Sequence, residues 1–126
     1  MDKILIVDDS EMVRMQVSNI LIEAGYKVFE AEGGIQAINL AKENPDIKMI
    51  LSDYNMPDMS GLEVLQAIKE TPAHQKTICG VLTTESSPAL KQVGKAVGVS
   101  FWIVKPVDAL KLKRVAAMVM QKYTKS

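Results

Sequence analysis

Five short apolar runs, each followed by a helical pattern, leave this chain very few possible folds. The runs are Ile4-Leu5-Ile6-Val7, a weaker Val28-Phe29, Met49-Ile50-Leu51, Gly80-Val81-Leu82 and Trp102-Ile103-Val104. Their hydrophobicity is continuous rather than alternating, as in strands buried on both faces, and this predicts a parallel sheet. Between them, Val13, Val17, Ile20 and Leu21 recur at helical spacing, as do Leu62, Leu65 and Ile68, and Val115, Met118 and Val119. Val7 to Val28, Val28 to Ile50 and Val81 to Ile103 span 21, 22 and 22 residues, each room for one crossover helix and two short loops. The 31 residues from Ile50 to Val81 hold an extra loop, Met56 to Gly61. Ser10 suits a helix N-cap and Gly25 the end of that helix, while Asn44-Pro45 and Thr71-Pro72 stop the second and third helices. A (β/α)₈ barrel needs about 200 residues or more. Five βα units in 126 residues therefore predict one open, doubly wound α/β sheet of five parallel strands with helices on both faces.

Composition narrows the function. Fifteen Lys and Arg balance fifteen Asp and Glu, so the cation excess expected of a DNA-binding protein is missing. No apolar run reaches the ~18 residues that span a bilayer, and Met1-Asp2-Lys3 runs into the first strand without a signal-peptide layout. The single cysteine, Cys79, cannot form an internal disulfide, and there is no Cys/His cluster for zinc. A soluble cytoplasmic domain is expected, with no membrane contact. Cys79 reads as a small buried hydrophobe, His74 as a solvated loop residue, and most of the eight Met residues as core filling. The basic last helix, with Lys111, Lys113, Arg114, Lys122 and Lys125, reads as a solvated face.

In such a sheet the binding crevice lies outside the carboxyl ends of the strands, where strand order reverses. Strand one ends in Asp8-Asp9, strand three in Ser52-Asp53, strand four in Thr83-Thr84 and strand five in Lys105-Pro106. Three carboxylates, a hydroxyl and an ammonium thus converge on one rim. Like charges a few Å apart repel and raise one another's pKa values, unless a divalent cation sits among them and Lys105 pairs with one carboxylate. Such a pair at ~4 Å gains roughly 4 kcal/mol at an effective dielectric of 20, before desolvation. Oxygen ligands without His or Cys favour Mg²⁺ or Mn²⁺. A carboxylate there can attack phosphorus to form an acyl phosphate, with Lys105 and the Thr83 hydroxyl holding phosphoryl oxygens.

These residues resemble the receiver domain of two-component response regulators, most closely the stand-alone chemotaxis-type members. The likeness spans Ile4-Leu5-Ile6-Val7-Asp8-Asp9-Ser10, then Asp53-Tyr54-Asn55-Met56-Pro57-Asp58-Met59-Ser60-Gly61, Thr83-Thr84-Glu85 and Val104-Lys105-Pro106. It implies the flavodoxin-like (βα)₅ fold over residues 1–126, with no output domain. It further implies that Asp53 accepts a phosphoryl group from a sensor histidine kinase. Asp9, Asp53 and the Asn55 carbonyl would bind Mg²⁺, and Asp8 would hold a metal-bound water. Lys105 would be the phosphate's counter-cation, and Lys105-Pro106 a cis peptide. Thr83 would be the mobile switch hydroxyl. Asn55 and Glu85 would set a short acyl-phosphate lifetime, which Thr84 tempers by narrowing access. Trp102 departs from the family's usual Tyr, Phe or His, so its service as a rotamer switch is in question, a fixed aromatic patch being the other reading. The expected output is a docking face for an effector protein formed by helix four, strand five and helix five. The alternative is a phosphorelay intermediate or phosphate sink with no effector. A flavodoxin-like electron carrier is disfavoured, because a flavin phosphate would meet Asp8-Asp9. An Asp-nucleophile phosphatase is disfavoured because the site lacks a second carboxylate as general acid.

Overall fold

A computed structural model of the chain describes residues 1–84 and 87–125. Five strands, β1 (Lys3–Val7), β2 (Lys27–Ala31), β3 (Ile47–Asp53), β4 (Ile78–Thr83) and β5 (Val99–Val104), alternate with helices α1 (Glu11–Glu23), α2 (Gly34–Glu43), α3 (Gly61–Lys69), α4 (Pro88–Ala96) and α5 (Ala109–Lys125). The sheet is parallel throughout, in the order β2-β1-β3-β4-β5. This is the doubly wound (βα)₅ flavodoxin-like architecture that the apolar runs predict.

Alternate strand residues feed two cores. Leu5, Val7, Ile50, Cys79 and Val81 pack with Ala37 and Ala41 of α2 and Val64, Leu65 and Ile68 of α3. Ile4, Ile6, Met49, Leu51, Leu82 and Ile103 pack with Val17 and Leu21 of α1 and Leu112 and Ala116 of α5. Burial on both faces explains the unbroken hydrophobicity of β1, β3 and β4. β2, at the sheet edge, is only partly buried, which is why its run is weak.

The caps agree with the local sequence. Ser10 Oγ accepts from the Val13 amide at 3.4 Å, and α1 ends before Gly25, whose φ of 100° is one that side-chain-bearing residues rarely adopt. Asn44 caps the end of α2. α3 ends at Lys69, and Pro72 opens a short 3₁₀ turn, Pro72–His74. Among the described residues no helix is long and apolar enough to cross a membrane.

Three expectations fail. Core filling does not account for most of the methionines: Met1, Met12, Met15 and Met118 are exposed, against the buried Met49 and Met120. Met118 is 69% exposed, so the inner face of α5 is formed by Leu112, Ala116, Val119 and Met120 rather than by Met118. His74 is fully buried, not solvated. Its Nε2 lies 2.6 Å from the Ala41 carbonyl and its Nδ1 2.8 Å from Thr77 Oγ1, which is itself 3.2 Å from the Ile47 carbonyl. A carbonyl only accepts, so Nε2 carries a proton. The imidazole thereby ties the end of α2 to the starts of β3 and β4, and answers the Ala41 carbonyl, whose helical donor position four residues on is Pro45. The polar composition of residues 71–76 concealed this role. His74→Ala is expected to destabilise the fold by about 2–4 kcal/mol through a cavity and stranded hydrogen-bonding groups, read as a lower urea midpoint.

Candidate functional site

Strand order reverses between β1 and β3, so the crevice opens where those two strands end. Asp53 is the last residue of β3, and Asp8 and Asp9 follow β1 directly. One carboxylate oxygen from each of Asp8, Asp9 and Asp53 lies within 4.8 Å of the other two. Asp8 is fully buried, Asp53 is 7% exposed and Asp9 faces solvent. Lys105, immediately after β5, reaches in from the opposite side: Nζ donates to Asp53 Oδ1 at 3.2 Å and lies 3.5 Å from Asp8 Oδ2. The Lys105-Pro106 peptide is cis, and the Lys105 amide donates to the Thr83 carbonyl at 2.8 Å.

The charges do not balance. Burial pushes the Asp53 carboxyl above the ordinary carboxylate range, and the Asp8 charge adds to this, against the lowering effect of the Lys105 ammonium; Asp9 contributes a further small rise. Asp8 Oδ1 accepts from the Ser10 amide at 2.9 Å, but Oδ2 accepts no hydrogen bond, because Lys105 offers an ion pair without hydrogen-bond geometry. It is one of two buried side-chain polar atoms without a hydrogen-bond partner among the described residues. A buried, anionic, orphaned oxygen beside two more carboxylates fits a hard divalent cation: all donors are oxygen, and a dication would offset the excess charge.

The loop after Asp53 is held at three points. Gly61 approaches so closely that a Cβ there would sit 2.3 Å from the Asp53 carbonyl oxygen, and its amide donates to Tyr54 O at 2.8 Å. Ser60 and Glu63 form a reciprocal capping box at the start of α3. Asp58 accepts from the Gly34 and Ile35 amides, both at 3.2 Å, and so caps α2, whose own N-cap Gly33 has no side chain to do it. Those two amides hold the Asp58 carboxyl below its usual range. Asn55 is exposed within this loop.

Thr83 is buried at the end of β4 and Thr84 is exposed. Glu85 lies outside the described residues. Trp102, half-buried, pairs in register with Val81 and packs on α4, where Gly94 makes room: a Cβ at Gly94 would lie 2.4 Å from the indole Cζ2. Asp8, Asp9, Asp53 and Lys105 are therefore gathered at one point, Thr83 stands at the end of the strand beside β3, and Trp102 sits further along β5 against α4.

Sequence reasoning overlooked Arg14 and Asp58. Arg14 shares the buried face of α1 with Val17, Ser18 and Leu21, and a lone cation at i, i+3, i+4, i+7 spacing was the signal available. Asp58 gave no such signal, since its partners lie 23 and 24 residues away.

The fold and the crevice define a class: a doubly wound α/β domain whose switch point carries a carboxylate triad and one lysine. The family model for the response regulator receiver domain matches residues 4–117, and the chain belongs to that family, which serves two-component signalling. It is 36% identical over 112 residues to a chemotaxis protein CheY homolog of Campylobacter jejuni, covering 88% of this chain and 86% of that one. It is 34% identical over 119 residues to chemotaxis protein CheY1 of Helicobacter pylori, covering 94% and 96%. A solved structure of Vibrio cholerae chemotaxis protein CheY4 superimposes with a TM-score of 0.91 at 41% identity, covering 94% of this chain and 98% of that one.

Because the native state holds the Asp53 proton more tightly than the unfolded chain does, this group lowers stability as pH rises from the ordinary carboxylate range through its raised value. Asp53→Asn removes that penalty. In metal-free buffer at neutral pH it is expected to raise Tm by roughly a few degrees, a gain that disappears below the ordinary carboxylate range, as scanning calorimetry across pH would record.

Proposed function

We propose that the chain is a phosphoryl-accepting response regulator in which Asp53 takes the group from a phosphohistidine of a sensor kinase. The observation that carries this reading is the Asp53 carboxylate at the end of β3, bonded to Lys105 at 3.2 Å and clustered with Asp8 and Asp9. An Asp53 carboxylate oxygen attacks phosphorus, the P–N bond breaks, and its electron pair leaves with the imidazole nitrogen. Asp8, Asp9, Asp53 and the main-chain carbonyl of Asn55 would hold Mg²⁺, with Mn²⁺ as the other candidate. A dication held there would supply charge neutralisation to the phosphoryl oxygens.

The protein's own contributions are local. Asp8 and Asp9 supply the negative charge that retains the cation. Lys105, released from Asp53 Oδ1, serves as counter-cation to the new phosphoryl group. The Thr83 hydroxyl takes another phosphoryl oxygen. Asn55 and Glu85 act on attacking water, and Thr84, exposed at the rim, narrows the approach, so together they set the lifetime of the acyl phosphate.

Phosphorylation then biases a two-state equilibrium of the α4–β5–α5 face, which an effector protein reads. The close packing of Trp102 in β5 on Gly94 in α4 supports a link between these two elements of that face. The effect is self-directed signalling with autodephosphorylation, not turnover of an external substrate, and it takes place in the cytoplasm without DNA or membrane contact. The names of its relatives direct the pathway toward chemotaxis.

Incubation with acetyl phosphate and Mg²⁺ is expected to add the mass of one phosphoryl group to the intact protein. Chelation of the metal, or Asp53→Asn, abolishes the gain. Labelling that persists in Asp53→Asn would remove Asp53 from the acceptor role.

A further inference from the structure

Arg14 is a buried charge for which the mechanism above has no use. It lies on α1 at 9% exposure, in a position where an arginine must have its charge answered. Its Nη1 donates to the main-chain carbonyl of Asp8 at 2.8 Å, and its Nε donates to Glu30 Oε1 on β2 at 3.2 Å. The guanidinium fork thus grips two neighbouring strands at once, which a lysine ammonium cannot do with the same geometry.

What it grips is the residue on which the acidic cluster turns. The Asp8 amide donates to the Ala31 carbonyl at 3.1 Å, the Asp8 carbonyl accepts from Arg14, and Asp8 Oδ1 accepts from the Ser10 amide at 2.9 Å. Each of these contacts fixes the backbone or one oxygen. The atom left over, Oδ2, has no hydrogen-bond partner and lies 3.5 Å from Lys105. The surroundings therefore hold Asp8 so that one buried, unpartnered oxygen is presented beside Asp9 and Asp53.

We infer that Arg14 is a positioning residue for divalent-cation binding: through the Asp8 carbonyl it fixes the Asp8-Asp9 backbone and so sets the affinity of the acidic cluster for Mg²⁺. This rests on the reading of that cluster as the Mg²⁺ site. Partners that orient metal ligands commonly change metal affinity by about 10–100-fold when removed, and Arg14 holds its ligand residue by the main chain rather than by the carboxylate.

The test compares wild type with Arg14→Met, Arg14→Lys and Glu30→Gln by calorimetric titration with MgCl₂ and by the rate of labelling with acetyl phosphate. Glu30→Gln weakens the grip on β2 but leaves the bond to the Asp8 carbonyl, so it reports the purely structural share of the fork. Arg14→Met is expected to raise the Kd for Mg²⁺ about tenfold or more, while Glu30→Gln stays within about twofold. The slowed labelling of Arg14→Met is expected to return to the wild-type rate at saturating Mg²⁺, which a general loss of structure would not do. A Kd within about twofold of wild type in Arg14→Met, or an equal rise in Glu30→Gln, would overturn the assignment. Arg14→Lys, which can still donate to the Asp8 carbonyl, is expected to lie closer to wild type than Arg14→Met. Should Arg14→Met fail to fold, Arg14→Leu takes its place under the same limits. Absence of Mg²⁺ binding in wild type would instead reject the metal site itself, a distinct outcome.

Discussion

Three carboxylates and one ammonium in a half-closed crevice form an arrangement that is unstable by itself. Asp8, Asp9 and Asp53 offer oxygens within 4.8 Å of one another, and Lys105 can answer only part of that charge. Burial first, and then the Asp8 charge, raise the Asp53 carboxyl, while Asp8 Oδ2 is left without a hydrogen-bond partner. The rest of the site exists to hold these groups in place despite the imbalance of charge, at a cost in stability borne by the surrounding core. A divalent cation bound among these oxygens would relieve that imbalance.

The fold makes that tension sustainable. Strands with fully buried faces fix the ends of β1, β3 and β4, so residues 8, 53 and 83 cannot move apart without disrupting both cores. The loop after Asp53 is pinned by Gly61 against the Asp53 carbonyl, by the Ser60–Glu63 capping box and by Asp58 on the start of α2. Arg14 and Ser10 secure Asp8 from behind. Rigidity ends at the rim, where Asn55 and Thr84 are exposed. Trp102 of β5 packs closely on Gly94 of α4.

Much of this was legible in the sequence because its signals are local or periodic. Continuous apolar runs at regular intervals define strands buried on both faces, and the residues directly after such strands fall on one rim whatever the details of packing. Asp8, Asp9, Asp53, Thr83 and Lys105 could be placed for that reason alone. The failures share the opposite cause. His74 sits among polar neighbours in sequence, yet its partner Ala41 arrives from α2, and its other partner, Thr77, is tied in turn to Ile47 of β3. Asp58 caps a helix that precedes it by more than twenty residues. Met118 lies three residues after Val115 but is exposed, because the buried stripe of α5 runs through Leu112, Ala116, Val119 and Met120, about a third of a turn away. Long-range polar contacts and the exact face a helix buries are tertiary facts, and one sequence carries little trace of them.

The central claim is that the cluster holds more negative charge than the protein itself can neutralise. Carbon-detected NMR titration of the aspartate side-chain carboxyls, with and without MgCl₂, reads that charge state directly. The account predicts an Asp53 carboxyl that titrates above the ordinary carboxylate range in metal-free buffer and falls sharply when Mg²⁺ is added. An Asp53 that titrates normally and ignores Mg²⁺ would contradict it.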